Sequence, residues 1–152
     1  MQIEFPNELE IVMTRQFAAP PELVFAVLTE PAHVRPTMAS FGERVDECSI
    51  DLRVGGDYHF EFTPDGGNPC SFRGTYLEVD SPHRTVQTWR FEGWPGVEAV
   101  ETHELHDAGD GATTMIWKLA FRDRAGRARM TKFDGPEAHL DTLDKYLRSL
   151  PR

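Results

Sequence analysis

Cationic residues are scarce in this chain of 152 residues: 16 Lys and Arg stand against 25 Asp and Glu, a formal net charge of −9. Neutralising phosphates takes clustered Lys and Arg, so neither nucleic acid nor an anionic membrane is expected as the main partner. Cysteine is nearly absent. Cys48 and Cys70 show no CxxC spacing and no flanking His pair, so they read as small strand residues in a reducing compartment rather than a zinc or redox site. No run approaches the ~20 apolar residues of a membrane span. The opening MQIEFPNELE is acidic and has no apolar core of signal length, so the expected location is cytoplasmic. Phosphate-binding loops of the GxxxxGK[ST] or GxGxxG kind and a GxSxG nucleophile elbow are also missing. No cofactor and no metal are expected.

Aromatic residues, by contrast, are plentiful: 10 Phe, 3 Trp and 3 Tyr support a packed globule. No repeat or low-complexity linker divides the chain, so a single domain over 1–152 is expected, with its core at about 10–150.

The pattern along the chain changes period twice. Leu9 to Phe17 alternates as a strand, with Leu9, Ile11, Met13 and Phe17 on one face. Pro20 and Pro21 then suit a helix start, where a missing N–H costs nothing, and Leu23, Val24, Val27 and Leu28 give that helix an apolar face. A second short helix follows from Pro31 to about Met38. From Val45 the period becomes two. Strands are expected over Val45–Leu52, Asp57–Phe62, Cys70–Val79, Thr85–Phe91, Val97–His106 and Thr113–Phe121, joined by turn sequences such as PDGGN (64–68), GWPG and DAGDG. Tyr58, Phe60 and Phe62 point to one side, as do Met115, Trp117, Leu119 and Phe121. The C-terminus returns to helical spacing through Leu140, Leu143, Leu147 and Leu150. Pro136 either starts this helix after Asp134 or kinks one that begins near Arg129; Met130 and Phe133 extend the stripe backward, which favours the kinked helix. The expected fold is α+β: a curved antiparallel sheet of seven strands, two short helices, and a long C-terminal helix covering one sheet face and enclosing a cavity.

The string RQFAAPPELVFAVLTEPAHV (15–34) resembles the opening of the SRPBCC, or START-like, superfamily. DLRVGGDYHFEFTPDGG (51–67) and FRGTYLEVDSPHRTVQTW (72–89) resemble the branch of homologues of the activator of heat-shock protein 90 ATPase. With DGATT (110–114) and the Leu-rich closing helix, the resemblance covers about residues 10–150 and implies a helix-grip fold around an apolar cavity. Two stretches depart from the branch. It usually carries a Trp pair in the second short helix, where this chain reads Val34-Arg35-Pro36-Thr37-Met38. It often reads Gly-Trp near the start of the last helix, where this chain has Gly135-Pro136. Both stretches would border the cavity mouth.

Several clusters have competing readings. Asp51, Arg53, Gly55 and Gly56 read best as a tight turn that an Asp–Arg pair steadies. Glu101 and His103 share a strand face with Val97, Ala99 and Leu105, while His106 faces away, so HxxH here cannot chelate one ion. A buried Glu–His pair can serve as general base; otherwise it is a hydrogen-bonded interior pair or lies exposed on the convex face. Trp94 in GWPG is either a lid or contact residue or a cap on the sheet end, and the four arginines of 122–129 are a solvated loop, a helix start or a patch for an acidic protein partner. The candidate cavity residues are Tyr58, Phe60, Phe72, Tyr76, Trp89, Glu101, His103, Trp117, Met130 and Phe133. Such a lining suits a hydrophobic small molecule as partner. The resemblance adds two further possibilities: a cyclase or dehydratase using His103 and Glu101, or a protein-interaction module of the chaperone-activator kind. A homodimer is the default if such domains associate.

Overall fold

The computed structural model describes residues 1–38, 41, 44–132 and 135–151. Two strands open it, β1 (Gln2–Glu4) and β2 (Glu10–Phe17), followed by helices α1 (Pro21–Thr29) and α2 (Pro31–Thr37). Six strands follow: β3 (Arg44–Ile50), β4 (Asp57–Thr63), β5 (Cys70–Asp80), β6 (Arg84–Phe91), β7 (Glu98–Gly109) and β8 (Ala112–Phe121). Helices α3 (Arg124–Thr131) and α4 (Gly135–Ser149) complete the chain. All strand pairs are antiparallel, in one curved, unclosed sheet of order β1-β2-β8-β7-β6-β5-β4-β3.

The sheet has eight strands where seven were expected. The extra one, β1, pairs Gln2 with Thr14 and Ile3 with Met13. Its three residues are too few for an alternation to register in sequence. In β8 the alternation is complete: Thr113, Met115, Trp117, Leu119 and Phe121 are all buried and the residues between them are not. In β2, Ile11, Met13 and Phe17 are buried, but Leu9 lies before the strand and stays exposed.

The C-terminal segment is two helices, not one kinked helix beginning near Arg129. Asp123 starts α3, its Oδ1 accepting the Gly126 N–H at 2.8 Å. Pro136 falls at the opening of α4, where it costs no hydrogen bond, and so starts a helix rather than bending one. The expected stripe is buried along α4: Leu140, Leu143 and Leu147 are 1%, 3% and 1% exposed. At ~1.5–3 kcal/mol for each such side chain, this row contributes most of what holds α4 on the sheet. Arg15 of β2 adds polar ties to Asp141 and Asp144 at the rim of α4.

The Asp51–Gly56 segment is structural. Arg53 Nε donates to Asp51 Oδ2 at 2.9 Å, and Gly55 has φ +85°. A Cβ on Gly56 would stand 2.1 Å from the Asp51 carbonyl oxygen. The turn docks on β5 through Gly55 N–H to Tyr76 O and Tyr76 N–H to Gly56 O, each 2.9 Å. The basic stretch is spent internally too: Arg122 pairs with Glu98, and Arg127 donates to the Asn7 and Glu10 carbonyls.

Candidate functional site

Strands β6, β7 and β8 carry a polar cluster on the inner sheet face. Gln87 stands opposite Glu101, and His103 opposite Trp117. Directly paired residues share a face, so four polar-tipped side chains meet in the layer between sheet and α4. A fifth, His139, comes from α4, four residues before Leu143 and therefore on the same side of the helix. Its ring lies 4.9 Å from Phe41 and 6.2 Å from Trp117 between centroids.

The hydrogen bonds fix the chemistry of this cluster. Glu101 Oε1 accepts from Gln87 Nε2 at 2.9 Å, and Oε2 accepts from Trp117 Nε1 at 2.8 Å. The carboxyl group thus determines which end of the Gln87 amide faces it. The same Nε2 is 3.3 Å from His103 Nδ1. An amide NH₂ has two protons, so the second donates to Nδ1 and the imidazole proton resides on Nε2. That N–H is 3.8 Å from Glu101 Oε2, too far for a direct hydrogen bond. Gln87 Oε1 is buried and has no partner among the described residues.

Burial keeps both imidazoles neutral near pH 7. Desolvation lowers the His103 pKa, against a smaller upward pull from Glu101. Desolvation and then the neighbouring His103 push His139 down to about 4. His139 is only half-buried by area and borders the inner recess. Burial, followed by the charge of Glu101, pushes the phenols of Tyr58 and Tyr76 upward, so both remain donors. Tyr58 Oη donates to the Thr88 carbonyl at 2.7 Å.

Two adjoining recesses open beside this cluster. The inner one, about 100 Å³, is bordered by Glu101, His103 and His139, with Tyr58, Phe60, Met38 and others around them. The outer one, about 270 Å³, is bordered by Trp94, Phe62, Phe91, Met130 and Pro136 among others. Phe41, Phe72, Trp89 and Trp117 border both. All three tryptophans of the chain therefore line the outer recess. No Lys or Arg lines either recess among the described residues.

Eight of the ten residues singled out in the sequence meet here. Tyr58, Phe60, Phe72, Trp89, Glu101, His103 and Trp117 border the inner recess, and Met130 the outer one. Tyr76 borders neither; it is buried beneath them, its ring 5.7 Å from Tyr58. Phe133 lies outside the described residues. Val34, Thr37 and Met38 of the divergent second-helix stretch line the inner recess, and Pro136 the outer. His139 was missed because only apolar positions were counted on α4, although its spacing to Leu143 was readable. Trp94 packs on Phe91 at 5.4 Å and Trp89 at 6.5 Å, with the Arg129 guanidinium 5.1 Å above it. It caps the sheet end and walls the outer recess at once. His106 is exposed on the opposite face, as expected. On that outer face Glu47, His59 and Glu61 come within 4.8 Å of one another. Arg73 donates towards His59 Nε2 at 3.4 Å, which leaves the proton on Nδ1 to be donated to Glu47 Oε2 at 3.0 Å.

Comparison with known proteins agrees with this architecture. A Rhodobacter sphaeroides crystal structure is 23% identical, covers 99% of this chain and 100% of its own, and superposes with a TM-score of 0.88. A Mycobacterium smegmatis protein is 16% identical over 100% of this chain and 99% of its own, with a TM-score of 0.83. A Rhizobium loti protein is 26% identical over 91% and 96%, with a TM-score of 0.72. No curated protein matches the sequence. Residues 18–148 match one family throughout, and the chain belongs to it: the Activator of Hsp90 ATPase homolog 1-like proteins.

Proposed function

We propose that this protein binds an apolar, ring-bearing small molecule between the sheet and α4. The observation that carries this reading is the outer recess of about 270 Å³ walled by three Trp and three Phe side chains beside Phe41. An apolar cavity of ~150 Å³ already holds a benzene ring, so this one has room for a second ring. Aromatic walls supply dispersion and edge-to-face contacts to a ring, and the polar cluster below supplies a few directed hydrogen bonds. Membrane insertion plays no part in this reading: no described helix is long and apolar enough to cross a bilayer.

A general-base role for His103 would need an unprotonated ring nitrogen facing the recess. Gln87 occupies Nδ1 and leaves a proton on Nε2, so His103 serves this reading as a hydrogen-bond donor. Native mass spectrometry of the freshly purified protein tests the proposal. The expected result is a bound organic adduct, or a 1:1 complex after incubation with a two-ring aromatic probe. A bare mass in both cases would overturn it.

A further inference from the structure

We infer that the inner recess seats a hydroxyl group of the ligand between His103 Nε2 and Glu101 Oε2. This deepens the preceding reading and rests on it. The two atoms are 3.8 Å apart and both residues border the inner recess. That spacing is too long for them to bond each other and short enough for one oxygen to lie about 2.8 Å from each. Nε2 carries the imidazole proton, because Gln87 Nε2 is held by Glu101 Oε1 and turns a proton on Nδ1. The seat therefore offers one donor and one acceptor. Glu101 Oε2 already accepts from Trp117 Nε1 at 2.8 Å, and a carboxylate oxygen has a second lone pair to give.

A hydroxyl matches both sides, accepting from the imidazole N–H and donating to the carboxyl. A carboxylate can accept but has no proton for Glu101, and no Lys or Arg among the described lining residues would pair with its charge. An ammonium can donate but leaves the imidazole N–H facing another N–H. An ether accepts and leaves Glu101 Oε2 unserved. The ligand class is thus a ring-bearing alcohol or phenol, its rings in the outer recess and its hydroxyl in the inner one. Phe72, Trp89 and Trp117 border both recesses.

Equilibrium dialysis of the whole chain at pH 7 against 2-naphthol, its methyl ether and 2-naphthoate tests this. The three share a ring system and differ in the head group. The expected result is at least tenfold tighter binding of 2-naphthol than of either other probe. His103→Leu should remove about tenfold from 2-naphthol binding. Equal binding of 2-naphthol and its ether, or of naphthoate, overturns the hydroxyl seat while leaving the recess as a ring-binding site. Binding of none of the three overturns the ring-binding reading itself. If His103→Leu does not fold, the wild-type ratios decide the matter alone.

Discussion

Acid should weaken this fold through His139 before its carboxylates are lost. The His139 pKa is held at about 4 in the folded chain, against ~6.5 for an unfolded histidine. Its charged form is disfavoured in the native state, so between these two values the unfolded chain binds more protons. Stability is therefore complete above pH 6.5, falls as the pH drops towards 4, and loses nothing further from this group below that. One pKa unit corresponds to ~1.4 kcal/mol, which gives a loss of about 2 kcal/mol between pH 7.5 and pH 5. The lowered pKa of His103 acts in the same direction. Urea unfolding of the wild type and of His139→Gln at both pH values isolates the effect. The wild type should lose about 2 kcal/mol more than the variant over this interval. Parallel losses in the two proteins, or a His139 titration midpoint near 6.5 by NMR, would refute the reasoning.

Three structural substitutions probe other parts of the fold. Leu147→Ala empties a site only 1% exposed under α4 and should cost about 2–5 kcal/mol by urea denaturation. Asp123→Ala removes the α3 cap at Gly126 N–H and should cost about 1 kcal/mol, with faster amide exchange confined to the first turn of α3. Gly74→Ala would place a Cβ 1.8 Å from the Thr88 carbonyl oxygen and 2.7 Å from the Tyr58 ring. It should cost more than the ~1–3 kcal/mol of ordinary overpacking, and a melting temperature within a few degrees of the wild type would contradict that.

What could be read in the sequence depended on how strongly each segment's period is imposed by burial. In β8 every second residue from Thr113 to Phe121 is buried, so hydrophobicity marks the inner face without ambiguity. The same logic put Glu101 and His103 on one face with Ala99 and Leu105, the face that is buried in the structure. It could not place Gln87, whose role depends on standing opposite Glu101 across β6 and β7. Strand register is a long-range property, and a tautomer that depends on it is invisible in one dimension. The α3–α4 break was misread because Met130 and Phe133 fit a helical stripe whether or not the helix is continuous. Asp123 and Pro136 were the local signals, a cap and a first-turn proline, and they outweigh the stripe. Tyr76 is a cavity candidate as one of the strand aromatics, yet it borders neither recess and is buried against Tyr58. His139 shows the converse: a polar residue at core spacing belongs to the site when a recess, rather than packed side chains, lies in front of it.

NMR titration with 2-naphthol, following the indole N–H signals, tests most directly whether rings settle between the sheet and α4. All three tryptophans border the outer recess, and the Trp117 N–H also bonds Glu101. Saturable shifts in all three indole signals, with the amides of Thr75 and Leu77 on the opposite sheet face unmoved, are the predicted result. Unchanged indole signals, or shifts scattered over the outer face, would contradict it.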